Sequence, residues 1–159
     1  LKLLQNSRES INPVVHVEIP TKTPAQVPSL EADDVINGEQ KSYQKAFNAL
    51  KDRDYAQAET QFLNFLQAYP VSDYTPNAYY WLGEIYLLQG KYALAEDNLK
   101  HVLERDGHHN KTPDAMLKLA MVYVNAQKMD LAKQMVANLQ QYYPDSAAAR
   151  MAKIQLGTL

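Results

Sequence analysis

Three groups of residues carry side chains that could do chemistry. Glu96 and Asp97 are adjacent carboxylates, the raw material of general acid–base work. His101, His108 and His109 lie close together in sequence and carry imidazoles that can ligate a divalent cation. Tyr79, Tyr80 and Trp81, followed by Tyr86 and Tyr92, offer aromatic faces to a ligand.

None of the three groups completes a reactive site. Glu96 and Asp97 fall on the outward face of an amphipathic stretch, where a solvated pair is the simpler reading. The histidines sit in a polar segment without a third fixed ligand, so a metal site is not expected. There is no GxSxG, HExxH, GxGxxG or Walker loop. Asn110-Lys111-Thr112 is a glycosylation sequon, without consequence if the source is bacterial. We therefore expect no catalytic residue, no metal, no cofactor and no enzyme.

Bulk properties narrow the classes further. The 159 residues contain no cysteine, which excludes disulfides and thiolate metal sites within them. Net charge is −2, with lysines scattered among acids and no basic stripe, which argues against nucleic acid. No stretch approaches the roughly 20 apolar residues that span a bilayer, so membrane insertion is not expected. The chain opens at Leu1 with no signal-like segment and reads as a processed or truncated piece.

The aromatic group makes sense once the elements that position it are found. Ala58, Ala95 and Ala132 recur at a step of 37 residues. Phe62, Leu99 and Val136 keep the same step, as do Phe65, Val102 and Leu139. Ala46, Gly83 and Ala120 keep it upstream, with Leu50, Leu87 and Val124. Pro70, Gly107 and Pro144 close the units. The chain is an internal repeat present three times.

Each unit reads as two helices. Thr75-Pro76 and Thr112-Pro113 are matching helix starts, with threonine as N-cap and proline at N1, and Asn37-Gly38 holds this place in unit one. Gly90 can end its helix by adopting a left-handed conformation. Arg53 and Gln127 hold the equivalent places, so those two turns are expected to be less well defined. Asp145-Ser146 can cap one more helix, reaching about Leu156, whose Ala147, Met151, Ile154 and Leu156 would cover the last unit. Small Gly83 and Ala95 let two helices approach, and Leu82, Tyr86 and Leu99 fill the space around them. Tyr79, Tyr86 and Tyr92 are therefore expected in repeat core rather than in a cofactor box.

Upstream the character differs. Pro13, Pro20, Pro24 and Pro28 punctuate a stretch without helical period, so 12–36 is expected to be an extended linker. Leu1, Leu4 and Ile11 fit a heptad seam, so 1–11 reads either as a coiled-coil tail or as a frayed end. The repeat domain is expected over 37–159, with units at about 38–74, 75–111 and 112–145 and a capping helix over 146–156.

Small, small and large residues at these offsets, followed by proline, resemble the tetratricopeptide repeat. Leu82, Gly83, Tyr86, Ala95 and Leu99 fall on its signature positions in unit two. Leu119, Ala120, Tyr123, Ala132 and Pro144 do so in unit three. Unit one departs, with Lys45 where leucine is usual and Ala49 where tyrosine is usual. The resemblance implies an all-α, right-handed α-solenoid of three helix pairs plus the C-terminal capping helix. Residues 40–156, with the core "YPVSDYTPNAYYWLGE", also resemble the C-terminal domain of the Tol–Pal-associated cell division coordinators. Gly107-His108-His109 departs from that family, which tends to repeat the Tyr-Pro ending. The resemblance implies a periplasmic, TolA-binding module without catalysis. It also implies a link to peptidoglycan synthase machinery and, through an N-terminal coiled coil, a trimeric full-length protein.

In such a solenoid the first helices of successive units line a concave groove. The repeat's geometry puts Tyr43 and Phe47, Tyr80 and Glu84, then Leu117 and Met121 on that groove, with Asn77 and Asp114 at its rim. The set is mainly apolar with an acidic tint, and it lacks the lysine, asparagine and arginine pattern that clamps a C-terminal carboxylate. An adaptor groove for a TolA-like partner is the favoured reading. A structural repeat subunit of an outer-membrane assembly complex is the alternative, as is a generic peptide adaptor.

Overall fold

In a computed structural model the chain is described over residues 32–104 and 109–159. The heptad-like 1–11, most of the expected linker, and Gly107 and His108 lie outside the described residues. Those described form helices and turns, with no strand among them: α1 (Ala32–Lys51), α2 (Tyr55–Ala68), α3 (Thr75–Leu88), α4 (Tyr92–Glu104), α5 (Thr112–Asn125), α6 (Met129–Tyr142) and α7 (Ala147–Leu156). They make an all-α repeat array. α1 pairs with α2, α3 with α4 and α5 with α6, and each pair rests on the next. α1 starts at Ala32, so its helix runs straight through Asn37-Gly38, and the linker cannot extend to residue 36.

Burial follows the repeat step. Ala46, Ala58, Phe62 and Phe65 in unit one, and Leu82, Gly83, Tyr86, Ala95, Leu99 and Val102 in unit two, are buried. Leu119, Ala120, Tyr123, Ala132 and Leu139 repeat the pattern in unit three. α3 and α5 bury residues around most of their circumference, α3 lying between the α1–α2 and α5–α6 pairs and α5 between the α3–α4 pair and α7. Tyr79 and Tyr92 are half-buried against this core.

The three intra-unit turns are equal, contrary to expectation. Arg53, Gly90 and Gln127 all have positive φ, at 60°, 70° and 61°. Each unit repeats the same two backbone bonds. Arg53, Gly90 and Gln127 donate to Leu50, Leu87 and Val124, and the next residues donate to Ala49, Tyr86 and Tyr123, all at 2.8–3.1 Å. The helix geometry on both sides enforces the turn whether or not glycine is present.

The threonines do not cap. Thr75 is the first residue of α3, and its buried hydroxyl donates to the Tyr69 carbonyl at 2.9 Å, tying the end of α2 to the start of α3. Thr112 is buried likewise, and its Oγ1 has no partner among the described residues. Ser146 does cap α7, accepting from the Ala149 N–H at 3.0 Å. α7, however, is rotated from its expected pose. It buries Ala148, Ala149 and Ala152, while Ala147, Met151 and Ile154 face outward. Small side chains make the closest contact with α5 and α6, and Leu156 packs half-buried beside them.

A tyrosine–glutamate bond joins successive units. Tyr86 donates to Glu59 at 3.0 Å, and one repeat later Tyr123 donates to Glu96 at 3.3 Å. Glu96 also pairs with Lys100 at 2.7 Å and Lys128 at 3.0 Å. It is therefore a bridging carboxylate 18% exposed at the α4–α5 junction, not the solvated one expected from sequence.

Candidate partner-binding groove

α1, α3 and α5 present a row of side chains at the sixth and tenth positions of each unit. The structure places the expected residues in two classes. Tyr80 and Leu117 are buried, at 6% and 8% exposure. Both lie in packed core, so they are scaffold rather than open groove. Leu117 lies in the core shared with α7. Tyr43, Phe47, Glu84 and Met121 are half-buried and keep accessible surface.

Aromatic contacts join α1 to α3. The Trp81 indole N–H donates to the Tyr43 hydroxyl at 2.9 Å. Tyr43 stacks on Tyr74 with centroids 4.9 Å apart and planes 26° apart. Phe47 lies 5.5 Å from Trp81, and the Lys51 ammonium sits 5.6 Å above the Phe47 ring. Burial raises the Tyr43 pKa, while hydrogen bonds from Trp81 and Asn77 oppose the rise. Asn77 is thus beside Tyr43, half-buried rather than at an open rim, and its Oδ1 has no partner among the described residues.

Between α3 and α5 the groove is charged. Glu84 pairs with Lys118 at 3.3 Å, with both side chains about a quarter exposed. Burial raises the Tyr80 pKa well above that of a free phenol, and the nearby Glu84 and Asp114 carboxylates raise it further. Asp114 is half-buried in the first turn of α5. The Lys111 ammonium stands 5.0 Å from both the Tyr80 and the Trp81 ring centroids.

Toward the C-terminal ends of these helices the groove opens into a depression of about 570 Å³. Leu87, Leu88 and Met121 line it beside Glu84, Lys118 and Asn125. Leu88 is 61% exposed. Apolar surface flanked by an ion pair can seat one face of a peptide helix or an extended segment. Among the described residues no three His, Asp or Glu side chains are grouped to hold a metal ion, and no helix is long and apolar enough to cross a membrane.

Trp81, Leu88, Lys111 and Lys118 belong to the groove although position counting omitted them. Trp81 and Lys118 each follow a residue of the row, and a helix face about 100° wide that holds i and i+4 reaches i+1 as well. Leu88 ends the same stripe one residue after Leu87. Lys111 reaches in from the turn before α5, and the repeat pattern offers no signal for it.

Models described as tetratricopeptide repeat match the chain over residues 43–108 and 86–156. Over 48 residues the chain is 46% identical to the cell division coordinator CpoB of Pseudomonas putida, strain KT2440, and to a second Pseudomonas putida protein of the same name. That stretch is 30% of this chain and 18% of each relative, so the match spans less than a fifth of their length. The 37-residue step, the helix pairs and these matches agree: residues 43–156 are a domain of tetratricopeptide repeats.

Proposed function

We propose that the chain is a protein–protein adaptor of the bacterial envelope. In this reading its groove binds a segment of a TolA-like partner in the periplasm and helps coordinate outer-membrane constriction with peptidoglycan synthesis during division. The observation that carries the reading is the apolar surface of Leu87, Leu88 and Met121, exposed at Leu88 and half-buried at the other two, set on the row of first helices and bordered by the Glu84–Lys118 pair. A preorganised apolar face with charged edges gives both contact area and orientation to an incoming helix. The 48-residue likeness to a cell division coordinator supports the division role. The repeats favour an adaptor over an enzyme.

Calorimetric titration of a purified TolA fragment into the chain tests the proposal. Saturable binding that weakens in Leu88→Asp is the expected result. No binding by the parent chain would overturn it.

A further inference from the structure

Lys111 occupies an unusual place. Its ammonium lies 5.0 Å from two ring centroids, those of Tyr80 and Trp81, which meet edge-on at 4.8 Å. The described residues give it no carboxylate partner within ion-pair distance. Its backbone N–H is held by His109 Nδ1 at 3.1 Å, so the main chain is anchored while the long side chain reaches over the rings. The indole is fixed independently by its bond to Tyr43 and by Phe47 at 5.5 Å. The Glu84 and Asp114 carboxylates act on the Tyr80 hydroxyl, so the corner lies in a field that favours cations.

A tryptophan face is the best cation receptor among side chains. A guanidinium stacks on it more favourably than an ammonium because it is planar and more weakly hydrated.

We propose that the Trp81 face, held edge-on by the buried Tyr80 ring behind it, is a receptor for an arginine or lysine side chain of the protein partner, and that Lys111 fills it as an internal surrogate until the partner displaces it. The proposal rests on the groove-binding reading above and gives that groove its charge preference. The partner segment carries an apolar face for Leu87, Leu88 and Met121 and a cation for the aromatic corner.

Trp81 is the single tryptophan of the chain, so its emission reports the corner directly. The probes are two synthetic amphipathic helical peptides, alike in their leucine face, one with a single arginine and one with glutamine in its place. The arginine peptide is expected to shift Trp81 emission saturably and to bind about two- to fivefold more tightly than the glutamine twin, the range of an exposed cation–π contact. Lys111→Ala and Lys111→Gln are expected to tighten the arginine peptide by a similar factor, because the competitor is gone, and to leave the glutamine twin unchanged. Equal affinity for the two peptides, or weaker arginine-peptide binding in both Lys111 variants, overturns the proposal. An envelope-protein fragment that binds the parent chain but is indifferent to both Lys111 variants removes this inference and leaves the adaptor reading standing.

Discussion

Leu99 fills the space that a side chain would need at Gly83. A Cβ placed on Gly83 would stand 2.5 Å from Leu99 Cγ and 2.6 Å from Cδ2. The two residues set how closely α3 and α4 approach. Unit three holds Ala120 and Val136 at the corresponding positions, one residue larger and the other smaller.

That correspondence predicts an exchange. Gly83→Ala alone gains helix propensity but must push Leu99 aside, and Gly83→Leu should cost about 3 kcal/mol through overpacking. Gly83→Ala combined with Leu99→Val copies unit three and should be more stable than Gly83→Ala alone. Urea unfolding of the three variants checks this, and a double variant less stable than the single one would refute the volume argument.

The left-handed turns give a second prediction. Arg53 and Gln127 hold positive φ without being glycine, a conformation that costs an ordinary residue roughly 1–2 kcal/mol. Glycine relieves that strain but adds entropy to the unfolded chain. Arg53→Gly and Gln127→Gly should each stabilise by about 0.5–1 kcal/mol, and Gly90→Ala should destabilise by about as much. Melts of the three single variants give the signs.

How much the sequence reveals depends on what fixes each feature. The 37-residue step exposes core positions such as Ala58, Leu99 and Leu139 because close packing tolerates only certain sizes there. The turn at Gly90 is legible, whereas those at Arg53 and Gln127 are not, because there the flanking helices override local preference. The rotation of α7 hides behind its composition. Met151 and Ile154 look like core on hydrophobicity, yet the face turned to α5 and α6 carries Ala148, Ala149 and Ala152, with Leu156 half-buried beside them. In the groove, position counting finds the row but not its depth. Tyr80 sinks into the α3–α5 seam, and Lys111 arrives from a turn that no repeat position describes.

The inter-unit bonds predict an alkaline transition. Burial, and then the neighbouring Glu59 carboxylate, push the Tyr86 pKa from 10.0 up to about 12. A folded pKa above the unfolded one means that the native state holds the proton more tightly. The stabilisation is thus complete below pH 10 and is lost as pH rises from 10 to about 12. Urea midpoints followed over that window should fall, and Tyr86→Phe should flatten the fall. The acid side has the opposite sign. Lys100 and Lys128 hold the Glu96 pKa below 4.5, so its contribution is present above that pH and declines as pH drops further, and Glu96→Gln should remove that part of the decline.

The last prediction separates scaffold from site within the groove. Tyr80 is 6% exposed and Leu88 is 61% exposed, although both lie on α3. Tyr80→Ala removes a ring from the seam and should cost about 3–5 kcal/mol of stability, the usual range for a buried aromatic. Any loss of binding in that variant follows from the damaged fold. Leu88→Asp leaves the core intact and should change stability by less than about 0.5 kcal/mol, the norm for surface changes. It places a carboxylate in the apolar depression and should weaken a TolA fragment by tenfold or more, equivalent to about 1.4 kcal/mol. Glu84→Lys breaks the pair with Lys118 and should slow association with a basic partner while steepening no thermal transition. Stability and affinity measured on the same three proteins decide the matter. If Tyr80→Ala melts like the parent, or if Leu88→Asp binds like it, the division drawn between seam and groove is wrong.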